Sequence, residues 1–290
     1  FCGGVNAADC MTKIDRMHIS GVYSVLDYSV EGKQNEAQFN FVVEKTLELI
    51  AFAAENKAMP FAVFKPTAVG RFELYEKVSK SDILTPAENK EWESIKTRFH
   101  TICKYAQKMK IAVLVDAEET WMQDSADTLL LDLMKDYNKE SVVVYNTIQA
   151  YRWNRLDYLK EMYAIAKKEN FKLGFKLVRG AYMEKERKRA EFKNIKSPIC
   201  KTKADTDINF DNCLKFILKH LPHISLFLGT HNENSTLLAL KTLSNLNIKK
   251  NDPRVWFGQL YGMSDHISFN LAKHEYNAAK YLPFGPVKDV

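Results

Sequence analysis

Eight short apolar or β-branched runs punctuate this 290-residue chain, and each but the last is followed by a stretch of helical periodicity. The runs span 21–29, 60–67, 111–117, 142–150, 174–180, 225–231, 255–261 and 281–284. Between them, as in 36–55, 88–109 and 155–169, apolar residues recur at steps of three and four, the period of a helix face. Strands that alternate with helices lie parallel in one sheet. Eight of them favour a closed (β/α)8 barrel of the TIM type over an open doubly wound sheet, and ~250 residues is the usual length of such a barrel. No Gly-x-Gly-x-x-Gly follows a strand, which argues against a dinucleotide-binding unit. The expected layout is an N-terminal arm over 1–20 and a barrel over 21–290, with 193–206 as the most loop-like insertion. Only six residues follow the eighth run, so the eighth helix is absent from this sequence.

Composition narrows the function. Hydrophobic residues make up 46% and charged ones 27%, ordinary for a globular protein. The 42 Lys and Arg are mixed with 36 Asp and Glu, and no basic stripe carries interleaved aromatics, so nucleic acid is not an expected partner. The net charge of +6 favours an acidic membrane surface only weakly. The cysteines, Cys2, Cys10, Cys103, Cys200 and Cys213, are scattered and odd in number, which speaks against a disulfide framework or a zinc site.

Chemistry-bearing residues gather where the runs end, and a barrel builds its active site from the C-terminal ends of its strands. Lys65 ends an apolar run and needs a partner; Asp116, from the adjacent strand, is the expected one. Asp116 also suits a substrate- or cofactor-orienting role, or simply the start of the next helix, as do Glu118 and Glu119. Gln149 offers an amide for a heterocycle edge. Lys176 and Arg179 suit an anion, whether a phosphate or a reduced flavin. Gly180 would admit a ligand close to the backbone, and Tyr182 would pack on a substrate ring. Thr230, His231 and Asn232 end the sixth run. A lone His fits cofactor contact better than metal ligation, and no metal is expected.

The chain resembles the proline dehydrogenases at Leu26-Asp27-Tyr28-Ser29-Val30-Glu31-Gly32, Asp116-Ala117-Glu118-Glu119, Gln149-Ala150-Tyr151 and Lys176-Leu177-Val178-Arg179-Gly180-Ala181-Tyr182. The likeness continues through Gly229-Thr230-His231-Asn232, the stretch 258–263 and Tyr281-Leu282-Pro283-Phe284-Gly285. It implies a distorted barrel in a single-function, FAD-dependent oxidoreductase of proline catabolism. The enzyme would oxidise L-proline to Δ1-pyrroline-5-carboxylate by hydride transfer to FAD and pass the electrons to a quinone.

By the same resemblance Lys65, Asp116, Tyr182, Leu260 and Tyr281 would line the proline pocket, and Glu31 would gate it. Gln149, Lys176, Arg179, Gly180, Thr230, His231 and Asn232 would hold FAD. Many relatives carry Arg where Lys176 stands. The resemblance also implies peripheral contact with a membrane: the inner membrane from the cytoplasm in a bacterium, or the mitochondrial inner membrane from the matrix side in a eukaryote. A pyrroline-5-carboxylate dehydrogenase would act downstream. An Arg pair that clamps the substrate carboxylate in the family, on the eighth helix, does not follow Tyr281 here. The sequence as it stands is therefore expected to bind proline poorly and to expose apolar surface over 281–287. Competing readings are a metal-dependent barrel hydrolase or lyase built on Asp116, Glu119 and His231, and a non-catalytic scaffold. Within the family a 4-hydroxyproline enzyme is a further alternative, which Tyr281 argues against.

Overall fold

A computed structural model describes residues 3–28 and 35–285. Its parallel strands β1 (Val22–Tyr28), β2 (Phe61–Phe64), β3 (Ala112–Val115), β4 (Val144–Gln149), β5 (Leu173–Val178), β6 (Ile224–Gly229), β7 (Val255–Leu260) and β8 (Ala278–Phe284) close into a barrel in sequence order. Closure is made by β1 on β8, with Val25 opposite Tyr281. The sequence reading found all eight strands but started the last one three residues late. Ala278-Ala279-Lys280 looks too small and too polar for a strand, yet it pairs with Val22-Tyr23-Ser24.

Side chains alternate across each strand. Val25, Phe61, Val63, Leu114, Tyr145, Phe227, Ala279 and Tyr281 form an inner core. Phe61 sits edge-on to Tyr145, Phe227 and Trp256, with ring centroids 5.2–5.7 Å apart. A Cβ on Gly258 would lie 2.2 Å from the Phe227 ring, so the glycine makes room for that ring. The opposite strand faces join a larger cluster with the surrounding helices.

The helices lie between the strands: α2 (Glu36–Ala54), α3 (Phe72–Ser79), α4 (Pro86–Met109), α5 (Thr120–Tyr137), α6 (Arg155–Glu169), α7 (Met183–Phe192), α8 (Lys203–Lys219), α9 (Glu233–Asn245) and α10 (Asp265–Lys273). Local chemistry sets their starts. Thr85 and Glu88 form a capping box with Pro86 in the first turn of α4, and Thr202 and Asp205 do the same for α8. No helix among the described residues is long and apolar enough to cross a membrane. Cys10, Cys103, Cys200 and Cys213 are buried and form no disulfide among the described residues.

The N-terminal arm contains helix α1 (Ala7–Ile19), whose Cys10, Ile14 and Met17 join the outer core. This corrects the expected exposure of the eighth strand. Gly3 donates to the Pro283 carbonyl at 2.7 Å, and a Cβ on Gly3 would strike both Leu282 and the Cys10 sulfur. Leu282 is fully buried beneath this segment, Tyr281 turns into the barrel and Phe284 is buried. Residues 286–287 lie outside the described residues.

Candidate active site

The strands end around a cavity of about 650 Å³ at the C-terminal mouth of the barrel. Its walls include all the residues assigned to the proline pocket and the FAD site, Lys65, Asp116, Gln149, Lys176, Arg179, Gly180, Tyr182, Thr230, His231, Asn232, Leu260 and Tyr281, but not the neighbouring candidates Glu118 and Glu119. Strand alternation explains the convergence, because the last inward position of each strand points into the mouth. The same parity brings in Asp27, Thr147, Phe227 and Gly258, which were not singled out as site residues. Asp27 was legible: it follows inward Val25 by two residues, as Lys65 follows Val63 and Asp116 follows Leu114. Glu31 lies outside the described residues.

The ion pair at the centre differs from the expected one. Asp116 accepts from Lys176 rather than being matched to Lys65. Lys176 also donates to the Tyr281 hydroxyl at 3.2 Å and lies 4.9 Å from that ring's centroid. Adjacency of β2 and β3 suggested the Lys65 pairing, but the barrel is narrow enough for a long lysine to reach across it from β5. Burial, with Asp116 and Asp27 nearby, holds the Tyr281 hydroxyl well above its ordinary pKa, so it stays protonated.

Arg179 points out of the ring of strands. Its guanidinium donates to Asp207 at 2.8 Å, Thr230 at 2.9 Å and Ser235 at 3.1 Å, and it stacks over Phe210. It therefore ties the β5 end to α8 and α9 while one side remains on the cavity. Thr230 accepts from Arg179 and from the Asn232 amide, and Asn232 caps α9 by accepting from the Ser235 amide at 2.9 Å. His231 contacts the Ser264 hydroxyl at 2.9 Å; burial, and then the charge of Lys280, lower its pKa and keep it neutral.

Gly180 lines the cavity and has a further structural reason beside the one expected. Its φ is +132°, and a Cβ there would lie 2.5 Å from the Tyr151 ring. The glycine is needed by the backbone and by its neighbour Tyr151.

Glu118 is buried and accepts from the Thr67 amide at 3.0 Å and hydroxyl at 2.6 Å, joining the ends of β2 and β3. Burial lifts its pKa to about 7. Glu119 accepts from Lys185, so Asp116, Glu119 and His231 each have other partners. Among the described residues no group of three or more His, Cys, Asp or Glu is arranged to hold a metal ion.

Behind the cavity wall stands a residue the sequence reading missed. Lys280 points outward from β8, is 1% exposed, and donates to the Leu260 and Met263 carbonyls while pairing with Asp265 at 2.7 Å. It fixes the β7–α10 turn that carries Leu260 and Ser264.

Known proteins share this architecture and sequence. The proline dehydrogenase family model matches residues 10–290. The carbapenem antibiotics biosynthesis protein CarD of Pectobacterium carotovorum subsp. carotovorum is 36% identical over 287 residues, 99% of this chain and 74% of CarD. Mitochondrial proline dehydrogenase 1 of Arabidopsis thaliana is 38% identical over 241 residues, 81% of this chain and 48% of that one. A Dictyostelium discoideum proline dehydrogenase is matched over 58% of its length, so the chain spans only part of these relatives. Proline utilization A from Bdellovibrio bacteriovorus, solved after inactivation by N-propargylglycine, superposes with a TM-score of 0.87 over 99% of this chain and 31% of that one. Its 19% identity makes that a likeness of fold. The family match over nearly the whole sequence, on a closed barrel whose mouth gathers the motif residues, means that this chain belongs to the proline dehydrogenase family of enzymes.

Proposed function

We propose that this chain oxidises L-proline to Δ1-pyrroline-5-carboxylate with FAD as its cofactor and a quinone as the final electron acceptor. One observation carries the reading: the family's motif residues converge on one cavity of about 650 Å³, within the range of cofactor sites and larger than a five-membered ring requires.

The donor set fits a flavin. The Gln149 side chain donates to the Glu118 carbonyl at 2.9 Å, while its Oε1 is buried with no partner among the described residues. A buried amide oxygen without a donor is costly, and an N–H on a heterocycle would satisfy it. Lys65, Lys176, Arg179 and Lys203 line the cavity beside Asp27 and Asp116, with Lys176 held by Asp116 and Arg179 and Lys203 by Asp207, so cations stand in its wall where an anionic ligand would lie. When bound, FAD would supply the hydride acceptor.

The chain's own residues then orient and shield. Lys176, held by Asp116 and Tyr281, places a fixed positive charge in the wall, and a preorganised charge of that kind stabilises the negative charge that develops during reduction. Tyr182, Leu260 and Tyr281 line the cavity and would orient the substrate ring and keep water from the reacting centre, which strengthens the electrostatic interactions there. Lys65 and Asp27 add charges of opposite sign at the rim, a match for a substrate carrying both an amine and a carboxylate. The relatives named as mitochondrial support placing a eukaryotic version in the mitochondrion.

The test is a spectrum of the purified chain with and without proline. Flavin absorbance that bleaches on adding proline, with FAD recovered on heat release, is the expected result. Recovery of FMN, or a colourless protein that binds no flavin, would overturn the reading.

A further inference from the structure

Helix α7 is not held by apolar packing. Of its ten residues only Glu186 and Ala190 are buried, so it presents almost no hydrophobic face to the barrel. Yet it starts at Tyr182, which lines the cavity. Polar contacts must therefore set the position of that part of the wall.

Glu186 is a carboxylate at 1% exposure, and both of its oxygens are committed. One accepts from the Thr120 amide at 2.6 Å and the other from the Thr120 hydroxyl at 2.7 Å. Thr120 opens α5, where the amides of the first turn lack helical partners. Glu119, in the capping position, makes no side-chain hydrogen bond to that turn, so the acceptor comes from α7 instead. The helix dipole favours negative charge there, and charge-assisted hydrogen bonds are the strong kind. The other polar ties of α7 are more exposed. Lys185 pairs with Glu119 while its own side chain is 66% exposed. Arg189 lies 4.5 Å over the Trp121 ring and 3.7 Å from Glu76, and Arg187 donates to the Cys200 and Lys201 carbonyls at 3.4 and 3.2 Å. Exposed ion pairs hold little.

The Glu186 clamp stands one helical turn from the cavity. The Glu186 amide donates to the Tyr182 carbonyl at 2.9 Å, so a shift of one carries the other. A second clamp of the same kind lies beside it. Glu118 takes the amide and hydroxyl of Thr67, with Lys65 two residues before the threonine and Asp116 two before the glutamate. The two clamps meet at 118–120, so two buried carboxylates set the ends of β2, β3 and β5 relative to one another. We propose that Glu186 is a positioning residue for the reaction: bound to Thr120, it fixes Tyr182 against the substrate ring. The role of Tyr182 rests on the proline reading, whereas the clamp rests on the geometry alone.

The experiment is a double-mutant cycle on the full chain with Glu186→Ala, Tyr182→Ala and the two together, with Glu186→Gln as the conservative variant. Glu186→Ala should lower kcat/KM for proline by about 10–100-fold, because a displacement of ~1 Å can cost that much. In the Tyr182→Ala background the same substitution should cost less than about threefold, since residues that act through one another are not additive. Glu186→Gln keeps the shape and an acceptor for Thr120, and should recover most of the loss. A residue that served folding alone would give losses that multiply. Hydrogen exchange needs no substrate and supplies a second readout. Amides of 182–192 should exchange about tenfold or more faster in Glu186→Ala, with those of α8 unchanged. If Glu186→Ala does not fold, Thr120→Val removes the hydroxyl half of the clamp and carries the same cycle, with a loss of about three- to tenfold. Multiplying losses, parental kcat/KM in Glu186→Ala, or unaltered exchange over 182–192 would overturn the proposal. Faster exchange in the variant, with no proline turnover by the parent, would count against the proline reading and leave the clamp on Tyr182 standing.

Discussion

Two lysines are buried in the barrel wall, Lys176 on β5 and Lys280 on β8, at 6% and 1% exposure. They face opposite ways. Lys280 points outward, and its ammonium is met by two backbone carbonyls and Asp265. Those acceptors belong to a turn, so the charge is spent on holding backbone. Lys176 points inward and is met by side chains, Asp116 and the Tyr281 hydroxyl, that themselves line the cavity. A buried charge satisfied by fixed backbone serves the fold, whereas one satisfied by movable cavity groups can also act on a ligand. Removing each lysine should therefore damage a different property.

The largest expected effect is on the inward lysine. Lys176→Met should lower kcat/KM for proline by about 10²–10³-fold, the usual loss when a preorganised charge is removed from a reacting site. Its cost in stability should stay under about 2 kcal/mol, since Asp116 keeps some access to water through the cavity. The steady-state assay and a urea melt on the same sample check both halves.

Lys280→Met should show the reverse pattern. The Leu260 and Met263 carbonyls would lose this donor while the exposed Asp265 stays hydrated, for an expected loss of about 1–3 kcal/mol. Catalysis by the fraction still folded should fall much less than in the inward variant. A Lys280 variant that kept its stability while losing turnover would erase the distinction between the two lysines.

Glu118 offers a third buried charge, this one set by its proton. Its pKa rises to about 7 on folding from an ordinary 4.5. Below pH 4.5 the carboxyl is neutral in both states and its burial is free of charge cost. As pH climbs from there through 7, the unfolded chain releases the proton while the native state retains it, so stability falls, and above 7 this contribution levels off. The full drop is about 3 kcal/mol. Glu118→Gln keeps an acceptor for Thr67 and should flatten this part of the profile. Chemical melts at pH 5 and pH 8 on both proteins measure it, and equal slopes would show that Glu118 is ionised throughout.

Why one lysine was legible in the sequence and the other was not follows from the same geometry. Lys176 interrupts an apolar run and precedes Arg179, Gly180 and Tyr182, so it reads as a strand end with chemistry. Lys280 follows two alanines and precedes what looked like the start of the strand, so it read as connection. Alternation then decides which face each occupies, and that was legible for Lys65, Asp116 and Gln149, which all line the cavity. Partners were not legible, because pairing across a barrel depends on strand tilt and side-chain reach rather than on sequence neighbours. The Lys176–Asp116 pair, the Tyr151 ring beneath Gly180 and the coverage of β8 by the N-terminal segment are all contacts of that long-range kind.

The smallest expected effect tests how much of the inward cluster depends on its third member. Tyr281→Phe keeps the ring, which packs edge-on to Phe227 at 5.7 Å, and removes only the hydroxyl 3.2 Å from Lys176. Lys176 would still have Asp116, so its position should change little. One hydrogen bond from a charged donor is worth about 1.5–3 kcal/mol, which sets an expected loss of roughly 10–150-fold in kcat/KM. The Tm should move by less than about 4 °C. Tyr281→Ser also removes the ring, and only that change should open room for a hydroxyl and shift preference toward 4-hydroxyproline. Comparing the two variants with both substrates separates the hydroxyl from the ring. If Tyr281→Phe alone were as damaging as Lys176→Met, the tyrosine would be the group that fixes the lysine, and Asp116 only its counter-ion. If it cost several kcal/mol of stability with turnover intact, the inward cluster would be holding the fold as Lys280 does.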